Sequence, residues 1–149
     1  MLEKTGIVFP RLRSISFSQT NMKGPSHPSR IKIVELISGY DSILDVGCGT
    51  GLAYQMIMNV YPCMDYVGVD VTAKLVAHRR RKWPAAQEHF INLSVYNLEK
   101  IGRTFDVVMC RHLLEDLPEY DIAIRKMYPQ AVRELLLVFY SKVLASERD

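Results

Sequence analysis

Three features of the chain predict an α/β fold with a doubly wound, mainly parallel sheet. Short apolar runs alternate with helical patterns, two of the later runs are apolar without alternation, and a glycine-rich turn joins the first run to the helix after it. Alternation of strand and helix is the signature of parallel βαβ units. Uninterrupted apolar strands imply a sheet covered by helices on both faces.

Residues 1–28 hold Pro10, Gly24, Pro25 and Pro28 among scattered apolar residues, which breaks any long helix or central strand, so this stretch is expected to be an arm or lid. The domain proper is expected over residues 29–149. It opens on a short helix, because Ile33, Val34, Leu36 and Ile37 share one helical stripe that Gly39 can close. Five strands are then predicted, at residues 42–46, 66–69, 89–93, 105–110 and 135–140. Between the first two, Leu52, Ala53, Met56, Ile57 and Val60 repeat at helical spacing. Between the second and third, Leu75, Val76 and Ala77 sit in a segment ended by Pro84. Ile122, Ile124 and Met127 mark a helix before Pro129, while the link from third to fourth strand is shorter.

With 149 residues, 48% of them apolar and 23% charged, the chain is sized for a single domain with a real core. Its longest apolar runs, such as residues 135–140, fall far short of the roughly 20 needed to cross a bilayer. No membrane partner is expected. Met1-Leu2-Glu3-Lys4 is not the start of a secretory signal, so a cytoplasmic location is the expectation. Cys48, Cys63 and Cys110 form no C-x-x-C pair and are expected to be reduced thiols, and no metal site is expected. A net charge of +3 does not by itself argue for nucleic acid.

The chemistry is carried by Asp45-Val46-Gly47-Cys48-Gly49-Thr50-Gly51, which follows the first strand and opens a helix. Glycines at alternate positions let the backbone approach a ligand closely. The second strand ends in Asp70, where a carboxylate can accept hydrogen bonds from both hydroxyls of a ribose. A nicotinamide-binding domain would need the spacing G-x-G-x-x-G, but position 52 is Leu and the glycines here run G-x-G-x-G.

The run Ile43 to Gly51 resembles motif I of class I S-adenosylmethionine-dependent methyltransferases. Val67-Gly68-Val69-Asp70-Val71 is similar to that family's ribose-binding strand end, and residues 105–114 to its fourth strand and following turn. The likeness covers roughly residues 29–140 and implies a Rossmann-like methyltransferase fold with S-adenosylmethionine as cofactor. It implies that Gly47, Gly49 and Gly51, with Cys48 between them, surround the methionine part of the cofactor and that Asp45 shapes the loop. Asp70 would hold the ribose and Val71 would lie against adenine. Ser94 stands where many relatives have an acidic residue for the adenine amino group, Val95 follows with its amide, and Cys110 ends the strand aimed at the cofactor.

The resemblance leaves the catalytic residues and the acceptor open. His112, in the turn Cys110-Arg111-His112, is of a type that can take a proton from an acceptor, or it packs at the turn, with Arg111 solvated or paired to a carboxylate. The turn lacks the Asn/Asp-Pro-Pro-Tyr sequence of enzymes that methylate adenine or glutamine, and it has no Pro-Cys nucleophile. A small-molecule acceptor is therefore expected, with nucleic acid or protein substrates still open. Lys74, His78, Arg79, Arg80, Arg81 and Lys82 read as a solvated helix face rather than a phosphate site, and Tyr40, Tyr54 and Trp83 as packing. The family fold usually continues through another helix and two strands, whereas this chain ends nine residues after Tyr140. A shortened sheet is thus expected, with residues 135–140 as its open edge and a homodimer paired through that edge, the alternative being that residues 1–28 fold back over the edge within one chain. A cofactor-binding module without catalysis is the alternative to an enzyme.

Overall fold

In the computed structural model, residues 9–18 and 27–141 are described. Ten regular elements follow in order: β1 (Arg11–Ser18), α1 (Pro28–Leu36), β2 (Ser42–Val46), α2 (Leu52–Val60), β3 (Asp65–Asp70), α3 (Ala73–Lys82), β4 (Phe90–Asn92), β5 (Phe105–Arg111), α4 (Tyr120–Met127) and β6 (Ala131–Ser141). Short 3₁₀ turns fill several links, among them Val95–Ile101 between β4 and β5. The strands form one six-stranded sheet in the order β1-β6-β5-β2-β3-β4, and every neighbouring pair is parallel. No helix among the described residues is long and apolar enough to span a membrane.

The doubly wound prediction holds, and the five predicted strands correspond to β2 through β6. Buried residues on the two sheet faces form two cores. α1, α2 and α3 contribute Ile33, Ile57 and Val76 to one face, against Ile43, Tyr66, Val107 and Met109. α4 and the Val95–Ile101 turn contribute Ala123, Met127 and Leu98 to the other, against Leu44, Val46, Val69 and Val108. Burial on both sides is why β2 and β5 read as continuous apolar runs. At the base of the sheet, Asp106 is clamped to β2: its Oδ2 accepts from the Asp41 amide at 2.8 Å and its own amide donates to Ser42 Oγ at 2.9 Å.

One expectation is overturned. The last predicted strand is not an edge, because β1 pairs along it from Arg11↔Glu134 to Ser18↔Ser141, with β5 on its other side. The expected homodimer through that edge therefore has no free edge to use. β1 alternates: Ile15 and Phe17 turn toward the core, and Leu12 faces outward with 58% exposure. Such a half-solvated strand suits a sheet edge. It is tied across β6 by Glu134, only 1% exposed, whose Oε1 lies 2.8 Å from Arg13 Nε and whose Oε2 accepts from the Tyr40 hydroxyl at 2.6 Å. Of the stretch expected as an arm or lid, residues 11–18 are thus sheet, and residues 1–8 and 19–26 lie outside the described residues, as do residues 142–149 of the expected domain.

Candidate functional site

Strand order reverses beside β2: the chain moves outward through β3 and β4 and then returns to lay β5 and β6 on the other side. In such sheets the crevice lies outside the carboxyl ends of the strands at the point of reversal. The glycine loop occupies that point. Gly47, Gly49 and Gly51 take φ of 74°, 53° and 83°, the left-handed region that glycine enters without penalty. The loop is pinned to β3, since the amides of Gly47 and Cys48 both donate to the Val69 carbonyl, at 2.9 and 3.0 Å. A Cβ on Gly49 would meet nothing closer than the Gly47 carbonyl oxygen at 4.0 Å, so this side of the loop is open. Gly51 is closed from below, where a Cβ would lie 2.6 Å from Trp83 Cζ3.

Asp70 stands against this loop, 8% exposed. Its Oδ2 accepts from the Gly49 amide at 3.0 Å and its Oδ1 from the Thr72 amide at 2.8 Å. A carboxylate offers about four acceptor positions, so two backbone donors orient it and leave capacity for further hydroxyl donors. Its main-chain carbonyl is fixed by the amide of Leu93 at 3.0 Å and by Asn92 Nδ2 at 2.9 Å. Arg79 Nη2 lies 3.9 Å from Asp70 Oδ2.

Beneath the loop is a buried polar layer. Asp45 is fully buried and its Oδ2 accepts from the Tyr66 hydroxyl at 2.6 Å. Burial raises the pKa of Asp45, opposed by the Arg111 charge and the Tyr66 bond. Burial and the Asp45 charge likewise raise the Cys48 thiol, and push Cys110 up to about 12. Both thiols are protonated at neutral pH and are not nucleophiles.

In front of the loop is a small apolar cleft of about 160 Å³. It brings together five of the residues expected at the cofactor: Gly47, Asp70, Val71, Ser94 and Val95. Asp45, Cys48 and Cys110 are instead buried around it, and Gly49 and Gly51 complete the loop. Ser94 caps the following turn, its Oγ accepting from the Tyr96 amide at 3.2 Å. Val46, Val69, Leu93, Tyr96, Leu113 and Leu117 complete the lining and were missed in the sequence. The four-residue spacing of Leu113 and Leu117 was the signal available for two of them.

The β5 turn positions His112 at φ 51°, uncommon for a residue with a Cβ. Its amide donates to the Val138 carbonyl at 2.9 Å, and its ring lies parallel to Tyr140 with centroids 3.1 Å apart. Burial, then the Arg111 and His27 charges, lower its pKa to about 4, so the imidazole is neutral at pH 7. Both ring nitrogens are buried, with no hydrogen-bond partner among the described residues.

Of the cations on the basic helix, Arg79 alone among those named is buried. Arg79 is fully buried between Asp70 and the Phe90 ring, which corrects the reading of it as surface. Arg80 donates from Nε and Nη2 to the Phe90 carbonyl, at 3.0 and 2.7 Å. Tyr54 and Trp83 pack with Phe90 in an aromatic cluster and Tyr40 is bound to Glu134, all outside the cleft.

Residues 44–134 match a family described as a methyltransferase domain. The mitochondrial ubiquinone biosynthesis O-methyltransferase of Saccharomyces cerevisiae is 27% identical over 104 residues, covering 68% of this chain and 33% of that protein. Among solved structures, a sugar N-methyltransferase from Streptoalloteichus is 25% identical with a TM-score of 0.59, covering 73% of this chain and 45% of that one. The magnesium protoporphyrin IX methyltransferase of Synechocystis, solved with bound S-adenosylmethionine, is 21% identical with a TM-score of 0.58, covering 73% and 56%. The chain spans about a third to a half of the length of these proteins.

Proposed function

The chain belongs to the methyltransferase-domain family, and from that premise we propose that it binds S-adenosylmethionine at the carboxyl end of its sheet and transfers the methyl group to a small-molecule acceptor. The observation that carries this reading is the loop of three left-handed glycines with Asp70 fixed beside it and the apolar cleft in front. The residues fit the cofactor: Gly49 keeps an open side that any larger residue would fill, and Asp70 has acceptor positions left over.

The division of labour follows from the chemistry of each group. Asp70 takes the ribose hydroxyls in charge-assisted hydrogen bonds. Val71, Ser94 and Val95, with Leu93, Leu113 and Leu117, enclose the adenine and exclude water from its faces. Gly47, Gly49 and Gly51 admit the methionine part close to the backbone, over the layer that Asp45 and Tyr66 make rigid. The cofactor supplies a methyl already activated on a sulfonium. What remains for the chain is to hold the acceptor in line with it at near contact, which is worth more here than a strong acid or base. That matches a site whose thiols are protonated and whose β5-turn histidine, His112, is packed against Tyr140.

The acceptor class rests on relatives named for ubiquinone biosynthesis, for a sugar and for magnesium protoporphyrin IX. Incubation with methyl-labelled S-adenosylmethionine and a size-fractionated cell extract tests it. Label in the low-mass fraction is expected; label confined to protein or RNA contradicts the small-molecule reading.

A further inference from the structure

The ten residues of α3 carry five of the chain's nineteen Lys and Arg and none of its sixteen Asp and Glu, so a chain of net charge +3 would be −2 without them. The fold sorts these cations. Arg79 is buried with Val76, and Arg80 folds back onto the Phe90 carbonyl. What is left forms one row: Lys74, His78, Arg81 and Lys82, all exposed, follow one another at spacings of four, three and one, on the face opposite Val76 and Arg79. At 1.5 Å per residue the row runs about 12 Å along the helix.

Little in the fold balances this row. With no acid on the helix, none of its cations has an acidic partner three or four residues away. Among the described residues, Lys74, Arg81 and Lys82 enter no ion pair, whereas Lys32, Arg103 and Lys126 elsewhere on the molecule are each paired with an acid. The elements packed most closely on α3 are β3, β4 and the 3₁₀ turn Pro84–His89. Asp65 and Asp70 of β3 pair with Arg103 and Arg79, and β4 has no acid, which leaves Glu88 in the turn. The last-turn cations complement the helix dipole, but Lys74 in the first turn does not.

We propose that this row is a docking surface for a nucleic-acid backbone, with Lys74, Arg81 and Lys82 each taking a phosphate. A line of cations along one helix face suits a line of phosphates. An anionic lipid surface suits it less, because a helix that binds a membrane also sets an apolar face into the interface, and α3 uses that face on the sheet, with Val76 2% exposed. Trp83 is half-buried with Lys82 Nζ 4.5 Å from its ring centroid, so it is no platform for bases. Contact is therefore with phosphates and carries no sequence preference.

Fluorescence anisotropy of a short labelled DNA duplex, titrated with the full chain across a series of salt concentrations, tests the surface. Three phosphate contacts predict that log K falls against log salt with a slope of about −2.7. Lys74→Gln and Arg81→Gln replace exposed side chains away from the buried face, so both variants are expected to fold, which circular dichroism checks. Each is expected to weaken binding at low salt and to flatten the slope by about one unit. Lys126→Gln removes a cation paired with Glu99 and is expected to leave the slope as it is. No binding to the duplex at low salt, or a slope unchanged in folded Lys74→Gln and Arg81→Gln proteins, overturns the surface. Binding to phosphatidylserine vesicles without binding to the duplex overturns it too, and assigns the row to a membrane.

Discussion

The inner strands β2, β3 and β5 and the outer pair β1 and β6 share parallel backbone ladders but differ in what ties them beyond the ladder. Around β2 the ties are local in space and built on backbone: the glycine loop hangs from Val69, Asp70 is gripped by two amides, and Asp106 clamps the base. At the outer pair, one buried carboxylate, Glu134, joins Arg13 and Tyr40 across a sequence separation of 94 residues from Tyr40. Backbone ties of the first kind tolerate little change of residue, because the geometry requires glycine at defined positions. The second kind depends on a single side chain that has no local motif.

The largest effect is expected on the inner side. In Gly51→Ala the new Cβ would stand 2.6 Å from Trp83 with φ at 83°, so both overpacking and backbone strain apply. A loss of about 3 kcal/mol in urea unfolding is expected, together with weakened S-adenosylhomocysteine binding. A loss below about 0.5 kcal/mol, the range of an ordinary surface change, would show that Trp83 moves aside freely.

On the outer side, Glu134→Leu leaves the Tyr40 hydroxyl and Arg13 without their acceptor. Arg13 is a third exposed and regains water, so most of the cost comes from Tyr40, about 1–3 kcal/mol. Affinity for S-adenosylhomocysteine should stay within twofold of wild type. A tenfold drop would break the distinction between the halves by showing that β1 and β6 shape the cofactor site.

The contrast also explains what the sequence made legible. Gly47, Gly49, Gly51 and Asp70 announce themselves because their roles are fixed by backbone geometry and spacing. β1 did not, although Ile15 and Phe17 alternate with Ser14, Ser16 and Ser18. Reading residues 1–28 as one stretch averaged that period-2 signal with Pro10, Gly24 and Pro25, and strand pairing to β6 is a long-range fact with no local trace. Arg79 was hidden for a related reason: it sits among Arg80, Arg81 and Lys82, and only the tertiary position of Asp70 and Phe90 marks it as buried.

A smaller effect is expected from pH at the junction of the two halves. His112 has a folded pKa near 4 against an ordinary value of 6.5, so the unfolded chain binds the extra proton first as pH falls. Its contribution to stability is full above pH 6.5 and is lost as pH drops toward 4. The urea midpoint should therefore decline over that window, and His112→Asn should flatten the decline. An equal slope in both proteins would assign the acid sensitivity elsewhere.

The proposed role of the glycine loop and Asp70 is to hold an adenosyl amino acid rather than a dinucleotide. Titration calorimetry of the full chain against S-adenosylhomocysteine and NAD, repeated on Asp70→Asn, tests it most directly. Binding of S-adenosylhomocysteine with none comparable for NAD is expected, and a loss of roughly tenfold or more in the variant, whose amide cannot form the charge-assisted bonds to ribose. Tighter binding of NAD, or an unchanged affinity in a folded Asp70→Asn protein, would contradict it.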